Sequence, residues 1–236
     1  MSILVIGGNG ALGRSLVAYF SALGMSTTSV DLLANPLATH NCVLPASLPL
    51  ASTASHVLSC LPPTPAYSAI VCAAGGWTGG GAGDADFGSK VMEMHDKCLY
   101  PALYSAALAS IPGVLAPSGL LVLTGSAAAL SPAACTGMLA YGLAKCATHA
   151  LARTLGAAPP PAPHTLCLAP HVIDTPSNRQ WMSAGADLAS WTPPEHMAAQ
   201  LAAWVQGRQG LPPSGSIIEV LTKAGQTTFP VVQQLR

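Results

Sequence analysis

Tyr141 and Lys145 are the residues whose types and spacing most directly suggest chemistry, since they lie four positions apart in Tyr141-Gly142-Leu143-Ala144-Lys145. In a helix, side chains at i and i+4 share one face. A free tyrosine has a pKa of about 10 and is a poor acid–base catalyst at neutral pH, but an adjacent ammonium favours the phenolate. The pair therefore predicts proton transfer by Tyr141, assisted by Lys145. The Tyr-x-x-x-Lys spacing alone arises by chance in roughly one such chain in twelve. It is evidence for catalysis only if the rest of the chain forms a dinucleotide-binding fold.

A glycine-rich run near the N-terminus, Gly7-Gly8-Asn9-Gly10-Ala11-Leu12-Gly13, fits the pattern G-x-G-x-x-G over residues 8–13. Such glycines permit a tight turn and let the backbone approach a pyrophosphate, which then lies at the N-terminus of the next helix. A glycine-rich turn without a ligand is the alternative in a chain with 23 glycines. Asp31 favours dinucleotide binding, because it ends the second predicted strand, where a carboxylate accepts the hydroxyls of the adenosine ribose.

Asp31 also predicts which nicotinamide dinucleotide is bound. A carboxylate at this position would repel the 2′-phosphate of NADPH, and no Arg or Lys occurs in the forty residues that follow. NADH is therefore expected to be preferred, with NADPH less favoured. The alternative is an ordinary surface Asp at the end of a strand.

The elements that must position these residues alternate between strand and helix along the chain. Apolar runs predict strands, and apolar residues at helical spacing predict helices between them. This alternation indicates an α/β fold of the Rossmann type, a doubly wound parallel sheet in a single domain over residues 1–236. The predicted strands are 2–6, 26–31, 41–44, 68–73, 119–124, 165–169 and 217–222; the predicted helices are 11–23, 51–61, 87–110, 138–156 and 193–206; residues 170–192 are expected to form a loop.

Charge and hydropathy exclude several classes of protein. Nine Lys or Arg residues balance nine Asp or Glu residues, so the chain has no basic surface for nucleic acid or for a membrane. Residues 99–144 carry no charge but are interrupted by prolines, and no stretch approaches the roughly 20 apolar residues of a membrane-spanning helix. The N-terminus lacks a basic leader, which favours a cytoplasmic location. So few charges also suggest that a partner covers part of the surface.

The seven cysteines form no C-x-x-C pair. Zinc sites usually show ligands clustered at short spacing, and His40-x-Cys42 and His95-x-x-Cys98 each lack a second pair nearby. Free thiols and no bound metal are therefore expected.

Taken together, the sequence resembles the short-chain dehydrogenase/reductase family and, within it, the dihydropteridine reductases. The resemblance spans nearly the whole chain. It rests on residues 7–13, on Ala74-Gly75-Gly76-Trp77-Thr78-Gly79-Gly80, on residues 141–145 with His149, on Asp174-Thr175-Pro176-Ser177-Asn178-Arg179, on Trp191-Thr192-Pro193 and on Ser214-Gly215-Ser216-Ile217-Ile218. It implies reduction of a quinonoid dihydropteridine, such as quinonoid dihydrobiopterin, to the tetrahydro form by NADH. It also implies a homodimer joined through helices 87–110 and 138–156.

The resemblance further implies roles for individual residues. Ala74, Gly75, Gly76, Pro170 and Ile173 would line the cofactor, with the Ile173 backbone meeting the nicotinamide amide. The pterin would be bound by Trp77, Tyr141 and Asn178. Trp77 could instead pack under the glycine-rich loop, and Asn178 and Arg179 could hold their loop closed or touch the substrate.

Two departures from the wider family concern catalysis. A catalytic Ser usually lies about 13 residues before the Tyr, where this chain has Ala128, and the dihydropteridine reductases also lack it. Ser126, at the end of a predicted strand, is the candidate replacement. The helix Asn that builds a proton relay in many relatives is replaced by Cys98, so that relay is in question.

Two other functions remain open at this point. The chain could be a short-chain reductase for a ketone or alcohol, which a catalytic Ser126 would favour. It could also be a dinucleotide sensor without catalytic activity, although such a protein has no need to keep both Tyr141 and Lys145.

Overall fold

The computed structural model describes residues 1–63, 65–182, 184–207 and 210–232. Its centre is one eight-stranded sheet in the order β3-β2-β1-β4-β5-β6-β7-β8. All neighbouring strands pair in parallel except β7 and β8, which are antiparallel. The strands are β1 (Ser2–Ile6), β2 (Ser26–Asp31), β3 (His40–Val43), β4 (Tyr67–Cys72), β5 (Leu115–Thr124), β6 (His164–Pro170), β7 (Ser216–Lys223) and β8 (Gln226–Thr228). The predicted α/β Rossmann-type sheet is confirmed.

Helices cover both faces of the sheet, because successive strand residues point to opposite sides and both sides are apolar. The helices are α1 (Ala11–Ala22), α2 (Leu50–Cys60), α3 (Phe87–Met94), α4 (Tyr100–Ser110), α5 (Leu139–Ala157), α6 (Pro176–Met182) and α7 (Pro194–Gly207). One core joins α1 and α7 to strand residues such as Val5 and Val122. The other joins α2, α4 and α5 to alternate residues such as Ile6 and Leu123.

The helix expected over 87–110 is interrupted by a π-helical turn at His95–Leu99, which separates α3 from α4. The turn buries Cys98 and continues directly into α4, whose residues are buried on most sides. A π-turn depends on tertiary packing at a specific point, so a helical spacing pattern does not reveal it.

Two further expectations need correction. The predicted loop over 170–192 contains α6 and a 3₁₀ turn at Leu188–Ser190. Helices this short carry little periodic signal, because they rely on tertiary packing rather than on propensity. The short edge strand β8 was not predicted, and β5 begins four residues earlier than expected, at Leu115.

Within the described ranges, every helix is too short or too polar to reach across a lipid bilayer.

Candidate active site

The predicted site residues gather at the carboxyl edge of the parallel sheet. Ile6, Cys72 and Leu123 are register neighbours near the ends of β1, β4 and β5, so the segments that follow these strands emerge side by side. The strand order reverses direction between β1 and β4, which is where open α/β sheets bind ligands.

The glycine loop is held by close backbone contacts that exclude side chains. Gly7 has φ +77° and packs against the backbone of Ala74, where a Cβ atom would come within 2.5 Å. Gly13 packs in the same way against the backbone of Gly7, whereas a Cβ at Gly8 would meet the side chain of Ser29. A Cβ at Gly10 would meet only the Gly7 carbonyl oxygen, at 3.3 Å. The loop is therefore closely packed at all four glycines, and Gly10 is the least crowded of them.

The N-terminus of α1 fits a bound pyrophosphate. Gly10 is the N-cap, no side chain caps the helix there, and its first turn contains no acidic residue. Backbone N–H groups at an uncapped helix N-terminus point outward and attract anions. The residues present therefore fit the phosphates of a dinucleotide at this position.

Asp31 lies against the glycine loop. One carboxylate oxygen accepts the backbone N–H of Asn9 at 2.8 Å, and the other accepts that of Leu32 at 2.7 Å. A carboxylate has about four acceptor positions, so two remain for ribose hydroxyls. Asn35, which the sequence did not single out, also supports the loop by donating to the Gly8 carbonyl at 2.7 Å.

Lys145, on α5, is buried, with 3% of its surface exposed. Its Nζ donates to the Thr124 carbonyl at 2.7 Å and lies 5.8 Å from the centre of the Tyr141 ring. Burial by itself would lower the pKa of Lys145, but the ionisable groups of Cys98 and Tyr141 oppose it, and the net shift is upward. The hydrogen bond to Thr124 uses one of three ammonium N–H groups. The sequence does not reveal this role of Thr124, because only its backbone carbonyl accepts the hydrogen bond from Lys145.

Ser126 is at the predicted strand end but is buried, with 3% of its surface exposed. Its Oγ accepts the N–H of Ala128 at 3.2 Å and so caps a 3₁₀ turn. Its own N–H donates to Nε2 of His149 at 3.3 Å. Burial, with Arg153 and Lys145 nearby, lowers the pKa of His149 to about 4, so the imidazole is neutral and can accept this bond. His149 therefore positions the segment that carries Ser126.

The loop after β4 connects the glycine loop to the helices. Gly75 lies near Lys145 Nζ, since a Cβ there would be 3.7 Å from it. Cys98 donates its thiol hydrogen to the Gly76 carbonyl at 3.5 Å, from the π-helical turn. Trp77 is 62% exposed, so it does not pack beneath the loop. An exposed indole at this place offers a flat surface to a planar ligand.

The segment after β6 is held by internal bonds. The side-chain amide of Asn178 donates to the Ile173 carbonyl at 2.8 Å, and the Arg179 guanidinium forms a two-point ion pair with Asp174. This pair lowers the pKa of Asp174. Ile173 also forms a β-bridge with Thr192, and Pro170 is buried in β6. In this structure Asn178 and Arg179 hold their own loop together.

A cleft of about 540 Å³ opens between the N-terminus of α1 and the α6–α7 region. Its lining includes two arginines, Arg14 and Arg179. Arg14 was not identified from the sequence, whereas Arg179 was expected to hold its loop closed or to touch the substrate. A basic residue directly after the glycine motif is the signal that could have drawn attention to Arg14. The lining residues are Ala11, Arg14, Ser15, Asp174, Thr175, Pro176, Arg179, Pro193, Pro194 and Glu195.

The structure thus brings residues 7–13, Asp31, residues 74–77, Tyr141 and Lys145 to one edge of the sheet. Ser126 lies at the same edge, and its Oγ caps the 3₁₀ turn by accepting the Ala128 N–H. Asn178 lies in the segment after β6. What this arrangement can do chemically is bind a dinucleotide along the glycine loop and transfer a proton beside it.

Comparisons with known proteins bear on the family and the fold of the chain. No protein-family model matches the chain. A dihydropteridine reductase of Dictyostelium discoideum is 36% identical over 233 residues, which cover 97% of each chain. A short-chain dehydrogenase/reductase of Serratia marcescens superposes with a TM-score of 0.78 at 15% identity, covering 95% of this chain and 98% of the other. The aldohexose dehydrogenase of Thermoplasma acidophilum has a TM-score of 0.74 at 17% identity, with 93% and 91% covered.

At such low identity the two solved structures show a shared fold only. The curated relative goes further, because its similarity extends over almost the full length of both chains. The chain is therefore an oxidoreductase that belongs to the dihydropteridine reductase family, and it has the fold of the short-chain dehydrogenases/reductases.

Proposed function

We propose that the protein reduces a quinonoid dihydropteridine to the tetrahydropteridine with NADH, with residues 1–236 acting as one dinucleotide-binding domain. The observation that carries the proposal is the position of Lys145, buried with its ammonium close to Tyr141 and to Gly75 of the Gly-Gly-Trp loop. A proton-transfer pair beside a loop that carries the resemblance to the dihydropteridine reductases supports this proposal.

The dinucleotide is held along the glycine loop. Its pyrophosphate lies at the uncapped N-terminus of α1, over residues 8–13, and its adenosine ribose bonds to Asp31. Ala74, Gly75 and Gly76 line the nicotinamide half, and the two remaining N–H groups of Lys145 bond the nicotinamide ribose. Pro170, at the end of β6, and Ile173, which bridges Thr192, would line the other side of the nicotinamide, as the resemblance implies.

NADH supplies a hydride to the electron-poor pterin ring. Tyr141 delivers the accompanying proton, so that quinonoid dihydropterin, NADH and one proton yield tetrahydropterin and NAD⁺. Lys145 stabilises the phenolate left on Tyr141, because its ammonium lies 5.8 Å from the ring centre in a site shielded from water. Its bond to Thr124 fixes the ammonium in that place.

The pterin lies against Trp77, whose exposed ring offers a stacking face. Reduction of the quinonoid ring needs less electrophilic activation than reduction of a ketone, since the ring gains aromatic character. A side-chain hydroxyl that polarises a carbonyl is then dispensable, which agrees with Ala128 at the family's Ser position and with Ser126 acting as a cap. Asn178 shapes the side of the pterin site that lies opposite Trp77, through its hydrogen bond to the Ile173 carbonyl.

The proposal includes a homodimer joined through the helical segment 87–110, which begins with α3, and through α5. Met92 on α3 is 54% exposed and Leu143 on α5 is 51% exposed, and large apolar side chains on packed helices commonly mark an interface.

The decisive experiment follows NADH oxidation at about 340 nm with freshly generated quinonoid dihydropterin, beside NADPH and a panel of ketones. Turnover of the pterin, and none of the ketones, is the expected result. Ketone turnover without pterin turnover would make the protein a carbonyl reductase. NADH binding without turnover of either substrate would reject catalysis.

A further inference from the structure

Three metal-ligating side chains converge at the outer edge of the sheet, away from the cleft. Cys42 lies on the edge strand β3, and His56 and Cys60 lie four residues apart on α2. One ligand atom from each, the two Sγ atoms and a ring nitrogen of His56, lies within 4.8 Å of the others. No local sequence pattern indicates this cluster, because the packing of α2 against the sheet brings Cys42 to residues 14 and 18 positions later.

The spacing of His56 and Cys60 agrees with tetrahedral zinc coordination. Zn–S bonds of about 2.3 Å and Zn–N bonds of about 2.0–2.1 Å at a tetrahedral angle separate sulfur from nitrogen by about 3.6 Å. In the structure, Nε2 of His56 lies 3.7 Å from Sγ of Cys60. These two ligands are one helical turn apart and face the same side, so no large rearrangement is needed to bind an ion.

We propose that Cys42, His56 and Cys60 form a binding site for a thiophilic divalent cation, zinc in particular, with a solvent molecule as the fourth ligand. Two thiolates and one imidazole are a donor set that zinc favours over harder cations such as Mg²⁺ and Ca²⁺. Cys42 is buried, whereas Cys60 is exposed, so an ion can enter from the surface and the fourth position opens to solvent.

The expected role of the ion is structural. It would tie the edge strand β3 to α2 and close the connecting segment between them, which contains the proline-rich turn at Pro45 and Pro49. Binding displaces one proton from each thiol, giving a zinc dithiolate and two protons. Burial, reinforced by Cys60, raises the pKa of Cys42 to about 12, so at neutral pH the metal must displace that proton.

The site is tested on the full-length protein, reduced and freed of metal with a chelator. Zn²⁺ affinity is measured by competition with a chromophoric chelator, and Co²⁺ is added as a spectroscopic probe. The variants are Cys60→Ser and His56→Ala, and the matched control is Cys146→Ser, which removes another exposed cysteine. Circular dichroism checks that each variant is folded.

We expect one Zn²⁺ per chain, thiolate-to-cobalt charge-transfer bands, and a melting temperature that rises with zinc. Cys60→Ser and His56→Ala should each weaken binding by at least about tenfold, and Cys146→Ser should not. Binding that is substoichiometric, or unaffected by both ligand variants, would overturn the proposal. So would a Cys42–Cys60 disulfide, found by mass spectrometry, in protein that takes up no zinc after reduction. Because every readout is metal binding, the result is independent of the proposed reductase activity.

Discussion

The carboxylate of Asp31 accepts the backbone N–H of Asn9 at 2.8 Å, across 22 residues of sequence. The group proposed to receive the adenosine ribose therefore also fixes the loop proposed to receive the pyrophosphate. Cofactor choice and loop geometry are thus linked through one side chain, and a test of cofactor preference must change its charge while keeping its shape.

Asp31→Asn is such a change. The amide oxygen can still accept from Asn9, although the amide NH2 cannot accept from Leu32, and the negative charge that opposes a 2′-phosphate is gone. We expect the ratio of kcat/KM for NADPH to that for NADH to rise at least about tenfold, equivalent to about 1.4 kcal/mol. Steady-state assays with both cofactors measure it. Asp96→Asn, which removes an exposed carboxylate elsewhere, is the control. An unchanged ratio would show that Asp31 does not select the cofactor.

Tyr141→Phe should separate binding from proton transfer. Removing the phenol oxygen is expected to lower kcat with quinonoid dihydropterin by about 100-fold, in line with general acid catalysis, while the Kd for NADH changes little. Lys145→Met is expected to lower kcat and also to weaken NADH binding, because Lys145 is proposed to contact both Tyr141 and the cofactor ribose. Stopped-flow binding and steady-state rates distinguish the two patterns. Full turnover by Tyr141→Phe would remove Tyr141 from the proton-transfer step.

Trp77→Ala tests the stacking surface. With 62% of Trp77 exposed, its loss should change the free energy of unfolding by less than about 0.5 kcal/mol. The KM for the pterin should nevertheless rise about tenfold, with the KM for NADH unchanged, whereas Trp77→Phe should retain most of the affinity. Parallel urea unfolding and steady-state kinetics give both quantities. Equal KM values for the pterin in wild type and Trp77→Ala would refute the stacking role.

His149→Gln tests the neutral imidazole behind Ser126. The folded protein holds the pKa of His149 at about 4, below its ordinary value of 6.5, so only the unfolded chain takes up a proton between these values. The free energy of unfolding should therefore fall as the pH drops through this window, with a His149 contribution of about 2 kcal/mol between about pH 7.5 and about pH 5.

The amide introduced by His149→Gln cannot titrate in this range, yet its oxygen can still accept the N–H of Ser126. The variant should lose less stability on acidification than the wild type, by that amount. Urea unfolding at the two pH values measures the difference. Identical pH dependence in the two proteins would mean that His149 binds its proton equally well folded and unfolded.

Met92→Glu tests the proposed dimer. A charge at this exposed position on α3 would be desolvated at an interface, which is unfavourable, so the variant should dissociate to monomers at concentrations where the wild type is dimeric. Light scattering after size-exclusion chromatography reads the mass directly. Leu188→Glu, at an apolar residue that is 41% exposed on another element, is the matched control. A monomeric wild type, or a dimer unaffected by Met92→Glu, would contradict the proposal.

Most of the sheet was predictable because its central strands, such as β1 (Ser2–Ile6) and β4 (Tyr67–Cys72), are largely apolar runs between turn signals. The glycine loop and Asp31 follow directly from residue type and order. The hydrogen-bond partners of individual side chains could not be predicted from the sequence. Ser126 was placed correctly at a strand end, but only the structure shows its oxygen bound to the Ala128 N–H. The convergence of Cys42 with His56 and Cys60 depends on how α2 packs, which no local spacing records. The π-turn at His95–Leu99 likewise depends on tertiary packing, since the helices on either side of it pack against different elements.

That π-turn inserts one extra residue into what is otherwise a continuous helix, and each residue advances an α-helix by about 100°. The buried faces of α3 and α4 therefore point in different directions around a common helix axis. The first half faces α5, and the second faces α2 and the strands β4 and β5. Deleting one residue from the turn would restore a regular helix but rotate one half against its neighbours and withdraw the Cys98 thiol from the Gly76 carbonyl. The position of the loop after β4 and the proposed subunit contact thus depend on the same irregularity in the helix.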